Sequence, residues 1–306
     1  MKTLYPLHGI VTVLNTPFTR HNEIDLPALR RNVENAIAVG VAGFLVPAMA
    51  SEVYKLSRSE RRQMVEAVID QAAGRAVVIG GAGEMDAGQR REIVRDLIDV
   101  DCKNVLLQIP FATREQFRRE FDEIAAMDVD MIMLQDWDAN GYGIPVDFIC
   151  DLFARVDKFR CLKIEVVPAG VKYSEVLSAT DGLLNISGGW AVMQMIEALD
   201  RGVHAFMPTG MHEIYVAIYK LYTLGQKNKA RELFEEVLPV LAFSNQHLDI
   251  SIHFFKRLLY KQGVYQTPDV RPPVLPFDAV HQRFADQLIE RVMHMTEQVK
   301  QLTRVE

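Results

Sequence analysis

Eight short apolar runs, separated by amphipathic stretches, constrain this chain more than any other feature of its sequence. They are GIVTVLNTPF (9–18), GFLVP (43–47), AVVIGGAG (76–83), NVLLQIP (104–110), DMIMLQD (130–136), LKIEVVP (162–168), GLLNISG (182–188) and HAFMPTG (204–210). They are continuously apolar rather than alternating, as parallel strands buried on both faces are. Helical patterns lie between them. Residues 26–39 place Leu26, Leu29, Val33 and Ala36 on one face. Residues 58–73 follow Ser57, an N-cap, with Glu60 at the third helical position as in a capping box. Residues 86–100 and 113–126 behave similarly. Short, regular spacing predicts repeated βα units. Eight such units point to a closed barrel, although an open doubly wound sheet gives the same alternation.

Beyond the eighth run the pattern turns helical, near 211–224, 227–243, 246–262 and 278–301, interrupted by PDVRPPVLP (268–276). One of these helices completes a barrel and the others extend it. The expected fold is therefore α/β, a (β/α)8 TIM barrel over residues 1–225 with a C-terminal helical extension over 226–306. The 306 residues fit one such barrel with a modest extension.

Composition narrows the function classes. A net charge of −6 and the lack of a Lys/Arg-rich run argue against a nucleic-acid surface. Cys102, Cys150 and Cys161 form no CxxC pair, which suggests a reducing compartment and no disulfide framework. MKTLYPLHGIV lacks the apolar core and cleavage site of a signal peptide. No apolar run approaches the roughly 20 residues of a membrane span. The expectation is a soluble cytoplasmic protein that does not engage membranes. The histidines show no HxH or HExxH spacing, so no metal is expected, and His247 and His253 read as surface or packing residues. GGAG at 80–83 has neither GxGxxG spacing nor a following P-loop lysine, so it is not read as a phosphate cradle. No cofactor is implied. Met131 and Met133 read as barrel packing.

In such a barrel the chemistry lies at the C-terminal ends of the strands. The polar residues there are Asn15, Thr16, Ser51, Glu52, Glu84, Gln135, Asp136, Lys163, Glu165, Ser187 and Thr209. Lys163 stands out because Leu162 and Ile164 flank it. Burying an ammonium is costly unless it is paired or deprotonated. A desolvated neutral amine can attack a carbonyl and form a Schiff base. A structural ion pair would explain the same residue equally well. Glu165 lies two residues on, and strand side chains have period two, so both point to one side. That carboxylate either shuttles protons or only orients the lysine.

These residues carry a resemblance. NTPF (15–18), AGFLVPAMASEVYKLSRSER (42–61), GRAVVIGGAG (74–83), LKIE (162–165) and VRPPVLP (270–276) are similar to motifs of the dihydrodipicolinate synthase and N-acetylneuraminate lyase family of class I aldolases and dehydratases. The resemblance covers nearly the whole chain. It implies an imine between Lys163 and the keto group of pyruvate or a 2-keto sugar acid. Departures bear on the substrate. The two family threonines that hold the substrate carboxylate fall at Met49 and Ala50, and the next glycine at Ser51. The proton-relaying tyrosine falls at Gln135, and a Pro-Tyr-Tyr segment at Pro110, Phe111 and Ala112. MLQDWDANG (133–141), LKIEVVPAGVK (162–172) and the Ser-Glu pair in MASEV (49–53) look like motifs of the 2-keto-3-deoxy-arabinonate dehydratase branch.

The resemblance implies a Schiff-base lyase, dehydratase or aldolase, acting on a small 2-keto acid, a 2-keto-3-deoxy sugar acid in the branch reading. A dihydrodipicolinate synthase-type aldolase and a non-catalytic keto-acid-binding barrel are the alternatives. Lys163, Glu165 and Gln135 are the expected catalytic residues, Gln135 by hydrogen bonding since an amide does not titrate. Met49, Ala50, Ser51, Tyr142, Ser187 and Phe206 are the expected substrate contacts. Tyr142 is a second proton-carrier candidate, and Glu52 either braces its loop or touches substrate. By resemblance the assembly is a homotetramer, a dimer of dimers.

Overall fold

A computed structural model describes residues 2–302. Each of the eight apolar runs overlaps a strand, with β5 extending two residues beyond its run and β6 starting three residues before its own: β1 (Gly9–Val13), β2 (Gly43–Val46), β3 (Val77–Ala82), β4 (Asn104–Leu107), β5 (Met131–Asp138), β6 (Phe159–Val166), β7 (Asn185–Gly188) and β8 (Ala205–Phe206). The strands follow one another in chain order around a closed barrel, which removes the open-sheet alternative. β8 pairs in parallel with β1, at Gly9–Ala205 and Ile10–Phe206.

The helices are α1 (Leu26–Val39), α2 (Arg58–Ala72), α3 (Ala87–Ile98), α4 (Arg114–Ala125), α5 (Val146–Arg155), α6 (Ala169–Ala179), α7 (Met195–Asp200), α8 (His212–Thr223), α9 (Lys227–Ser244), α10 (Leu248–Lys261) and α11 (Ala279–Leu302). Side-chain caps set several starts, because the first N–H groups of a helix lack partners. Asp25 accepts from Ala28 N at 3.0 Å, Asp86 from Gln89 N at 2.8 Å, and Thr113 from Gln116 N at 3.1 Å. At α2 the expected capping box forms, with Glu60 N donating to the Ser57 hydroxyl and Ser57 N to Glu60 Oε2.

By its internal contacts the chain gathers into two compact units. The first, Met1–Val11 with Val77–Pro208, holds β3–β8, most of β1 and α3–α7. An aromatic ladder packs its helices on its strands: Phe111, Phe117, Phe121, Phe148, Phe153 and Phe159 meet in successive ring contacts. The second, Thr12–Ala76 with Thr209–Glu306, holds the end of β1, β2, α1, α2 and α8–α11. The boundary expected at 225/226 falls in the turn between α8 and α9. Those two helices pack on each other, and α11 packs on both, so the extension is continuous with the last barrel helix.

Candidate active site

The parallel register decides which side chains share a face in the first unit. Gln135, Lys163, Ser187 and Ala205 lie side by side across β5, β6, β7 and β8. The next row is Asp136, Ile164, Gly188 and Phe206. Successive strand residues point to opposite faces. The Asp136 carboxylate pairs with Lys172 on α6, so its row faces the helices. The Lys163 row therefore faces the barrel interior, and Glu165, two residues further along, joins it.

Three functional groups converge there. Lys163 Nζ lies 3.0 Å from Glu165 Oε2. Gln135 Nε2 donates to the same oxygen at 2.5 Å. Lys163 is 6% exposed, and Glu165 and Gln135 are each 7% exposed. The two readings of Lys163 thus coincide in geometry: it is a buried amine, and it is paired. The carboxylate bridges an amine that can act as nucleophile and an amide that cannot titrate but can hold the carboxylate still. Gln135 gives its amide hydrogen to Glu165, a contact not foreseen in the sequence. Ser187 sits beside Lys163 in the same row, its hydroxyl 3.9 Å from Met207 Sδ.

Two expected contacts lie elsewhere. Phe206 falls in the outward row with Gly188 and Ile164 and is fully buried, so Ala205 takes the inward place on β8. The error came from the two-residue length of β8, too short for its alternation to show in sequence. The Tyr142 hydroxyl donates to Glu175 Oε2 on α6 at 2.5 Å, and its ring packs under the Lys172 ammonium at 5.0 Å. Burial and then Glu175 push the Tyr142 phenol up to about 12, which keeps its proton in place. Tyr142 belongs to the helix side of β5, with Asp136 and Lys172.

Asp136, Tyr142 and the segment holding Lys172 were each singled out in the sequence, but their joining into one outer cluster was not. Lys172 is fully buried; it pairs with Asp136 and donates to the Tyr142 and Ile144 carbonyls, the latter at 2.7 Å. Asp136 Oδ1 accepts from Ile144 N at 2.9 Å. Burial works against both charges, pushing Lys172 down and Asp136 up, and the Coulombic attraction between them opposes it. Gly143, at φ +65°, leaves the space that the Asp136 carboxylate fills.

In the second unit, Met49–Ser51 form a single 3-10 turn after β2. As its first residues, Met49 and Ala50 present amides without a partner inside the turn. Ser51 is committed locally: its hydroxyl donates to Leu14 O at 2.5 Å and accepts from Ala48 N at 3.0 Å. Asn15 and Thr16 also serve this loop, donating to the Ala50 and Ser51 carbonyls. Thr209 donates to Val13 O at 2.7 Å. Glu52 is a brace. It pairs with Lys256 of α10 at 2.7 Å, with Lys55 at 3.3 Å, and accepts from Arg271 N at 2.9 Å. Its side chain is fully buried among these cations.

Comparison with known proteins agrees with this fold. A model described as "Dihydrodipicolinate synthetase family" matches residues 6–292. A relative from Methanococcus maripaludis, named 4-hydroxy-tetrahydrodipicolinate synthase, is 25% identical over 239 residues, covering 77% of this chain and 82% of the relative. One of the same name from Methanosarcina mazei is 26% identical over 240 residues, covering 76% and 81%. Among solved structures, a dihydrodipicolinate synthase from Rhodopseudomonas palustris superposes with a TM-score of 0.85 at 23% identity, covering 95% of this chain and all of that one. A 4-hydroxy-tetrahydrodipicolinate synthase from Methylacidiphilum fumariolicum gives 0.83 at 20% identity, covering 96% and 99%. At these identities the structures attest the barrel alone. The family match spans nearly the whole chain, and the protein belongs to the dihydrodipicolinate synthetase family of class I, Schiff-base lyases.

Proposed function

We propose that this protein forms an imine on Lys163 with a 2-keto-3-deoxy sugar acid and dehydrates it. The observation that carries the reading is the amine–carboxylate–amide trio of Lys163, Glu165 and Gln135. Glu165 Oε2 takes a proton from the Lys163 ammonium. The freed amine adds to the C2 carbonyl, and the carbinolamine hydroxyl takes that proton back from Glu165 and leaves as water, giving a protonated imine and restoring the carboxylate. That cation acidifies C3. Glu165 then removes the C3 proton, and the resulting enamine expels the C4 hydroxyl, which leaves as water with that proton. Hydrolysis of the imine releases the product and restores the amine. Gln135 holds the carboxylate in place throughout.

Borohydride reduction in the presence of pyruvate or a 2-keto-3-deoxy acid, read by mass spectrometry, should leave an adduct on Lys163. No adduct with any of these ligands would remove the reading. Glu165→Gln should lower kcat by about 10²–10⁴-fold, the usual worth of general acid–base help, with the adduct still forming. Normal turnover in that variant would exclude the proton-shuttle role. The names of the relatives favour a second reading, a pyruvate-using synthase. A coupled pyruvate assay separates the cases. A dehydratase leaves pyruvate unchanged, an aldolase releases it, and a synthase consumes it when an aldehyde acceptor is present.

A further inference from the structure

Gly189 follows β7 directly and borders the trio. A Cβ on this residue would fall onto Glu165 Oε1, 2.5 Å from Glu165 Cδ and 2.9 Å from Lys163 Cε. Its φ is −86°, a value open to any residue, so backbone conformation does not demand glycine here. Space does. Real Cβ atoms do not approach carboxylate atoms this closely, so any side chain at 189 displaces its neighbour. Lys163 and Glu165 share the interior face of β6, and the Glu165 carboxylate is the movable end of a flexible side chain.

We infer that Gly189 is the positioning residue for Glu165: the volume left by its missing side chain is where the carboxylate sits while it touches Lys163. Gln135 on β5 holds one oxygen from one side. The Gly189 backbone borders the other oxygen from the β7 side. The carboxylate is thus confined between two strands, which aligns it with the amine without an additional cation. Gly143 does the same for Asp136 on the helix side, where a Cβ would fall onto the carboxylate. Each carboxylate at the end of β5 or β6 is therefore seated against a glycine.

This inference rests on the acid–base role proposed for Glu165, but its first test does not. In a crystal structure of Gly189→Ala, Glu165 Oε2 should have left its 3.0 Å contact with Lys163. Persistence of that contact beside an alanine overturns the inference, whatever the activity. The second test is a double-mutant cycle on kcat. Gly189→Ala should cost about as much as Glu165→Gln, on the order of 10²–10⁴-fold, and the double variant no more than either alone, since one acts through the other. Losses that multiply overturn it. If Gly189→Ala does not fold, Gly189→Ala/Glu165→Ala, which empties the contested space, must fold. Its failure to do so would also overturn the inference. Glu165→Gln with full activity would remove the shuttle reading and leave the crystallographic test standing.

Discussion

At the scale of single residues, the site depends on which side of a strand a group falls. Lys163 and Glu165 share a side, as period-two alternation in sequence predicts, and the structure adds their 3.0 Å contact. Gln135 could be placed on a strand end from its sequence, but its partner could not. That required the β5–β6 register, which sets it opposite Lys163. Tyr142 shows the reverse case. A tyrosine near the mouth is chemically suited to replace a missing proton relay, yet its hydroxyl is bound to Glu175 and its proton is held firmly. Tyr142→Phe should therefore cost far less than the 10²–10⁴-fold loss expected for a proton-carrying group. Steady-state kcat with a 2-keto-3-deoxy acid checks this. A loss on the acid–base scale would return Tyr142 to the mechanism.

At the scale of elements, the eight strands were legible because buried parallel strands need unbroken apolar runs, α1 because its apolar residues recur at helical spacing, and α2 because its cap lies in the sequence. The inward and outward faces of β8 were not legible, since two residues carry no periodicity. The buried ion pairs were equally hidden, because their partners are far apart in the chain. Glu52 and Lys256 are one such pair, and Asp136 and Lys172 another. Three of the motifs that signalled the family are joined by one arginine. Arg271 of VRPPVLP forks onto Glu60, near the end of the second-strand motif, and lies 4.2 Å over the Phe18 ring of NTPF. In the first unit, Lys172 ties α6 to the loop after β5. Lys172→Met would leave Asp136 buried without its cation and free two carbonyls. Breaking such a pair costs about 3–5 kcal/mol. Urea denaturation should show that loss, and Lys172→Met/Asp136→Asn should recover part of it. A Lys172→Met loss below about 1 kcal/mol would mean that the pair contributes little beyond a surface ion pair.

At the scale of the whole molecule, the protein carries a net charge of −6, and among the described residues no helix is long and apolar enough to cross a membrane. Its response to acid should be set partly by one buried histidine. His212, at the start of α8, is fully enclosed in a polar chain within the second unit. Its ring lies 2.9 Å from the Thr12 hydroxyl and 3.1 Å from Asn32 Oδ1. Asn32 continues to the Tyr265 hydroxyl, which donates to Asn15 O at 2.6 Å. A neutral ring suits this arrangement, with Nε2–H donating to Asn32 and Nδ1 accepting from Thr12. Burial lowers His212 from 6.5 to about 4, with Glu213 opposing in part. Between those two pH values the unfolded chain takes up a proton that the folded chain does not. The stabilisation is therefore complete above about pH 6.5 and is lost as the pH falls toward 4. At 1.36 kcal/mol per unit the full change is on the order of 3 kcal/mol. Urea melts at pH 4.5 and 7 should show a loss of that order in the wild type and a smaller one in His212→Gln, whose side chain does not titrate. Equal losses in both proteins would assign the acid sensitivity to other groups. His204, lowered to about 4 mainly by burial, would then be the first to examine.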